Sequence, residues 1–317
     1  MRHGALRALE RIAQDNPDYR QMVVDAICAY LRTPYSAPAE EHGHLHAPLC
    51  PAGAGFAVPV ADAAPTAAQG QPHQEHEVRL TAQQILREHL HPGQRSWPLR
   101  RPARAFWADI DLDLTGAVLV DLDLSECVIR DARFTGATFA GVTLFRATAF
   151  TRDVHFTEAT FTTVVEFDDA TFTTARFIDV KFASVAGFGK ATFAGAADFT
   201  RATFTYNAAF TGANFTGIAD FTRATFHSNA WFGAVPFAGD ATFTAATFIG
   251  NAGFGRATFA GDVDFTGATL PPAGEIDLSA PSSWTDFTAT TFNRGVPPKL
   301  APFVSPPPGG SLPDMGQ

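Results

Sequence analysis

The residues best able to do chemistry in this chain are few and poorly placed for it. His42, His44, His46 and Cys50 share one short stretch, a composition that suits a metal ion. Their surroundings are Ala, Pro and Gly without apolar periodicity, so no frame holds them. They read as an incidental polar loop, and no metal site is assigned. His155 and His227 are widely separated in sequence, and no Ser–His–Asp arrangement can be built around either. No nucleophile elbow, P-loop or dinucleotide-binding glycine motif occurs in a strand–turn–helix context. Cys28, Cys50 and Cys127 form neither a CxxC nor a paired framework, usage that suits a reducing cytosol. The expectation is a non-catalytic protein with no cofactor, and a cytoplasmic one.

Charge narrows the field further. The chain carries a formal net charge of -9 at pH 7. Its carboxylates gather at Asp109, Asp111, Asp113, Asp121, Asp123 and Glu126, then at Glu166, Asp168 and Asp169, and the balance is nearly neutral beyond Phe188. Arg201 and Arg223, three residues after Asp198 and Asp220, suggest local neutralisation. No basic stripe fit to neutralise a phosphate backbone is present, which argues against direct nucleic-acid binding. The opening MRHGALRALER lacks a signal-peptide apolar core, and no apolar run reaches the ~18 residues of a membrane span.

The flanking elements read as follows. Residues 1–33 form a helical pair: Leu6, Leu9 and Ile12 share a face of the first helix, and Asn16-Pro17 marks the start of the second. That second helix places Met22, Val23, Ala26, Ile27 and Tyr30 at helical spacing and stops before Pro34. Residues 34–76 read as a flexible linker. Residues 77–105 hold an amphipathic helix, Glu77 to Leu90, with Val78, Leu80 or Thr81, Ile85 and Leu86, followed by a connection. The tail, 293–317, is rich in Pro and Gly and reads as disordered.

Residues 106–292 decide the fold. Large apolar residues recur every five positions at Leu114, Leu119, Leu124, Ile129, Phe134, Phe139 and Leu144. Two before each stands a smaller one: Leu112, Ala117, Leu122, Cys127, Ala132, Ala137 and Val142. Spacing mixes five and six after Phe150, then alternates strictly through Phe188, Phe193, Phe199, Phe204, Phe210, Phe215, Phe221 and Phe226 to Leu270. A helix would smear this period around its surface, and a flat strand would alternate it between faces. A square coil with one side per repeat turns every centre inward. Sides of five, six, five and six residues make a coil of 22, so residue i should lie on i+22. Asn207, Asn229 and Asn251 fall in one column, Asp240 and Asp262 in another, and Thr200, Thr222, Thr244 and Thr266 in a third. Asn and Asp tolerate left-handed turn geometry and can bond the neighbouring backbone, so they fit the extra residue at these corners.

FTRATF, FTGANF and ATFAGVTLF resemble the pentapeptide-repeat family in its Phe-centred variant. The resemblance implies a right-handed quadrilateral β-helix, here of seven to eight coils, preceded by a small helical region. The segment RHGALRALERIAQDNPDYRQMVVDAICAYLR is similar to one that precedes the repeats in many actinobacterial members, often after membrane-spanning helices. It implies architecture and names no substrate. The resemblance also implies two roles: a structural or protein-interaction scaffold with an unknown protein partner, or a DNA-mimicking regulator of a type II topoisomerase such as DNA gyrase. The latter needs a long negative face, whereas charge here concentrates in the first coils.

Two features bear on partners. The rod's ends carry unpaired backbone groups. Phe106 and Trp107, with the helix at 77–90, could lid the start, and Trp284, Phe287 and Phe292 the finish; alternatively one end is a homodimer contact. The segment HSNAWFGAVPF breaks the Thr/Ala/Gly lattice and turns Trp231 outward, near Tyr206, His227 and Ile249. These four are either a contact patch or a harmless surface in which Trp231 covers its neighbour's corner.

Overall fold

The repeats turn their large residues into one column because nothing else in the coil is bulky enough to fill it. The computed structural model describes residues 2–36, 70–93, 105–272 and 285–304. Between Leu112 and Phe292 the chain winds as a right-handed four-sided β-solenoid of about seven turns, each side carrying a short parallel strand. One side stacks seven strands from Val118–Val120 to Thr247–Phe248, and the next stacks seven ending at Thr285–Asp286. We call these sides 1 and 2. Sides 3 and 4, which begin at Val128–Ile129 and Leu112–Asp113, merge into one 14-stranded sheet through two longer strands, Ala149–His155 and Thr171–Arg176.

Coil length follows the spacing of the apolar centres. Leu112 pairs with Ala132, one 20-residue coil on, whereas Ala197 pairs with Ala219 and Thr203 with Thr225, 22 apart. The five-residue spacings of the first coils thus build shorter turns. The first six-residue side comes earlier than Phe150, between Phe139 and Phe145, because the true centre there is Phe145. Phe145 and Thr143 are buried, while Leu144 is only partly covered and Val142 is 47% exposed. The strict five-residue reading of Val142 and Leu144 is therefore corrected: one extra residue lies in that side. Thr143 is tolerated inside as the small partner, as is Thr148, whose hydroxyl donates to the Leu124 carbonyl at 2.7 Å.

Inside, the phenylalanines form four stacked columns. Phe188, Phe210, Phe232 and Phe254 lie parallel at centroid spacings of 4.7–4.9 Å. Neighbouring columns meet edge to face, as in Phe199 against Phe210 at 5.5 Å and 89°. Ring spacing equals the spacing of hydrogen-bonded strands, so backbone pairing and aromatic contact are met by one translation. Every ladder residue from Phe188 to Phe226 is buried.

Corners are built in two ways. Each five-residue side opens with a turn such as Phe199–Ala202, closed by Ala202 N–H to Phe199 C=O at 3.0 Å, with its third residue at positive φ: Lys190, Arg201, Arg223, Ala234, Ala245 and Arg256. Asp198 and Asp220 steady these turns by accepting from Thr200 and Thr222 N–H at 2.9 and 2.8 Å. The asparagine and aspartate columns lie in register but avoid left-handed backbone. They bond upward instead, Asn251 N–H to Asn229 Oδ1 at 3.2 Å and Asp262 N–H to Asp240 Oδ1 at 2.8 Å. At the corner between sides 3 and 4, Gly195, Gly217, Gly239 and Gly261 stack so closely that a Cβ on Gly217 would lie 2.4 Å from the Gly195 carbonyl.

The N-terminal helices, α1 (Arg2–Asp15), α2 (Arg20–Leu31) and α3 (Gly70–Leu90), share one core with the first coil. α2 buries Val23, Val24, Ile27, Cys28 and Leu31, leaving Met22 and, on α1, Ile12 exposed, so its apolar stripe is rotated from the one read above. α2 is entered through a 3-10 turn at Pro17–Tyr19, and the Asn16 amide donates back to Ile12 C=O rather than capping. α3 begins at Gly70, seven residues before the expected Glu77, which shortens the linker.

Candidate functional site

Tyr206, His227 and Ile249 follow the side 1 strands of three successive coils, at the corner with side 2. All three are exposed, Tyr206 at 56% and Ile249 at 51%. Trp231 lies on side 2 in the strand Ala230–Trp231 and is only half-buried. Its six-membered ring rests against Gly253, directly above it, where a Cβ would approach to 2.8 Å. The indole thus lies along the rod and covers the next coil, so three of the four side chains form an exposed edge and the fourth flanks it.

The two solenoid histidines do not converge. His155 sits on side 4, where the Arg176 guanidinium donates to its Nε2 at 3.0 Å; burial first, then the Arg176 and Arg133 charges, lowers its pKa. Among the described residues no group of His, Cys, Asp and Glu could hold a metal ion. His42, His44, His46 and Cys50 lie outside the described residues. Cys28 and Cys127 are packed in the core, and burial pushes both thiols up to about 12, so neither is an activated nucleophile.

The early carboxylates are engaged one by one. Arg130 grips Asp111 through both nitrogens at 2.6 and 2.5 Å, and this hydrogen bonding lowers the Asp111 pKa. Arg32 pairs with Asp113, Arg87 with Asp123 at 3.0 Å, and Arg146 with Glu166. Asp121 accepts from Val142 N–H at 2.9 Å. Arg201 reaches back a full coil to Asp179 at 2.5 Å rather than to Asp198, which corrects the local pairing expected from sequence.

Both ends of the solenoid are covered, by unlike means. At the start, two glutamines replace a missing coil. Gln21 of α2 exchanges hydrogen bonds with the backbone of Asp111, both 2.9 Å, and Gln83 of α3 does so with Val120, at 2.7 and 3.2 Å. Trp107 is buried against His89 at 3.7 Å and donates to Gln14 at 3.0 Å, while Phe106 is only partly covered. At the finish, Phe287 and Phe292 are the last rungs, stacked on Phe254 and Phe259 at 4.9 and 5.1 Å, rather than a lid. The cover is the 3-10 helix Pro298–Phe303, with Leu300 buried, which corrects the disordered reading of that part of the tail. Trp284 lies outside the described residues. An open cavity of about 800 Å³ remains beside this cover, between Asp262–Gly267 and Arg294–Lys299.

"Pentapeptide repeats (9 copies)" matches residues 177–225 and 221–269, and "Pentapeptide repeats (8 copies)" matches residues 110–144. The solenoid is built of pentapeptide repeats. No curated protein matches the chain. Within this pentapeptide-repeat solenoid the interior is lined by apolar side chains, and no described cleft gathers acid, base and nucleophile, an arrangement consistent with a scaffold or interaction role. No described helix is long and apolar enough to cross a membrane. The glutamine caps, the glycine column and the Asp–Thr turns were not singled out in the sequence. The glycines were findable, since Gly195, Gly217, Gly239 and Gly261 recur every 22 residues. The glutamines carry no periodic signal.

Proposed function

We propose that this protein is a non-catalytic, cytoplasmic interaction scaffold: a stiff rod whose helical head and outer corners meet a protein partner. The observation that carries this reading is the filled interior joined to a shared-core head. A rod without an internal site has only its surfaces to offer. The exposed edge of Tyr206, His227 and Ile249, flanked by Trp231, is the surface we assign to the partner. Small neutral residues around it keep the cost of desolvation low.

The test compares capture by the wild-type chain with capture by Tyr206→Ala/Ile249→Asp, at equal loading and with unchanged melting temperature. Specific proteins retained by the first and lost by the second support the assignment. An identical set from both removes it. The gyrase reading is disfavoured by the ion pairs that break up the acidic face. Unchanged DNA supercoiling by gyrase at micromolar protein excludes it. A homodimer through the C-terminal end is a further proposal, suited by the cavity left there; sedimentation equilibrium decides it.

A further inference from the structure

Side 4 stacks Arg133, His155 and Arg176 in consecutive coils, each paired in strand register with the next. At about 4.8 Å per coil, the two guanidinium-bearing residues start roughly 10 Å apart, with an imidazole between them. Like charges do not gather on a strand face without cost. Anions continue the column beyond both ends of the cluster: Asp113, which Arg32 and Thr115 N–H engage, and Asp198, whose Oδ1 accepts from Thr200 N–H. Neither forms an ion pair with Arg133 or Arg176, and no carboxylate stands between those two in the column.

Local winding accentuates the cluster. From Phe172 to Phe177 the side has five residues, where the same side has six from Phe150 to Phe156 and from Phe193 to Phe199. Register shifts between Phe172 and Thr174, and the corner is pulled into the continuous strand Thr171–Arg176. Arg176 therefore leans back over His155, Nη1 to Nε2 3.0 Å. Nη1 also lies 3.5 Å from Nδ1, and because a guanidinium can only donate, the contact suits a neutral imidazole with Nε2 as the acceptor.

We propose that Arg133, His155 and Arg176 form an oxyanion-binding site that takes a phosphate or carboxylate group laid across the column. The anion would accept from both guanidinium groups and convert His155 from an acceptor into a third, charged donor. Asp153 and Asp131, the acidic groups acting on His155, partly offset the cationic field and favour protonation of the ring, whereas burial and the two arginines oppose it and keep the free imidazole more readily neutral. The inference is independent of the partner proposed above, because it concerns a different side of the rod.

Inorganic phosphate, titrated into the full chain at constant ionic strength, tests it. The His155 ring resonance, assigned by loss in His155→Asn, should shift saturably, and its titration midpoint should rise by about half a pH unit or more. Arg176→Gln and Arg133→Gln should each weaken binding about tenfold or more, and Arg223→Gln should leave it unchanged. If Arg176→Gln lowers the melting temperature, the exposed Arg133→Gln carries the test alone. A parallel acetate titration separates the sources: tighter phosphate assigns a phosphate group, and equal or tighter acetate a carboxylate. A shift that never saturates with either anion, or that sodium chloride reproduces, overturns the site.

Discussion

Replacing Phe210 by Ala probes the ladder where it is most constrained. Phe210 is fully buried, stacked 4.7 Å from Phe188 and 4.9 Å from Phe232, with Phe199 and Phe221 edge-on at 5.5 Å. The walls cannot close on the cavity, because the coils to either side are tied at fixed spacing by bonds such as Phe210 N–H to Trp231 C=O at 2.7 Å. The loss should therefore fall near the top of the ~3–5 kcal/mol measured for buried Phe→Ala changes. Phe292 stacks on one ring only and is partly exposed, so Phe292→Ala should cost about 1–2 kcal/mol. Phe210→Leu, which keeps most of the volume, should cost less than about 1.5 kcal/mol. Urea unfolding reads all three as midpoint shifts at constant slope. Equal losses at Phe210 and Phe292 would refute the column as the source of stability.

Gly217→Ala forces a Cβ to within 2.4 Å of Gly195 backbone atoms and should destabilise by about 1–3 kcal/mol in thermal melts. Gly212→Ala, at a positive-φ position where Ala234 and Ala245 occur naturally, should cost about 1 kcal/mol or less. Gln83→Ala strips both bonds from the Val120 backbone; it should cost about 1–3 kcal/mol and speed hydrogen exchange at Val120. The Asp111 carboxyl, held low by its Arg130 hydrogen bonds, adds stability above the ordinary carboxylate range and loses it as pH falls through its lowered folded value. Arg130→Gln should flatten that acid loss, by less than about 1 kcal/mol because the pair is partly exposed; urea midpoints across the acid range check it.

Legibility differed by the kind of force at work. The inward columns were readable because a ring either fills the axis or meets water, so Phe188 through Phe226 obeyed their spacing. Phe145 was missed because Leu144 satisfied the same hydrophobic pattern one residue early, and only strand register separates the two. Asn207, Asn229 and Asn251 fall in the expected column and bond the neighbouring coil's backbone, without using the left-handed geometry they tolerate. The left-handed residues are Arg, Lys and Ala at turns whose geometry the coil imposes, overriding intrinsic preference. The extent to which Trp231 is covered was not legible from its own repeat, because its ring lies against Gly253, 22 residues later. How the helices dock was not legible, since Gln21 and Gln83 act through amide groups indistinguishable in sequence from any solvated glutamine.

The final turn shows what such winding permits. Ala252 pairs with Thr285, 33 residues on, where every recent turn needed 22, yet Phe287 still lands on Phe254 and Phe292 on Phe259. The staircase resumes on its next tread. Length in this protein is thus counted in whole flights: the distance from head to foot changes only when an entire flight is gained or lost.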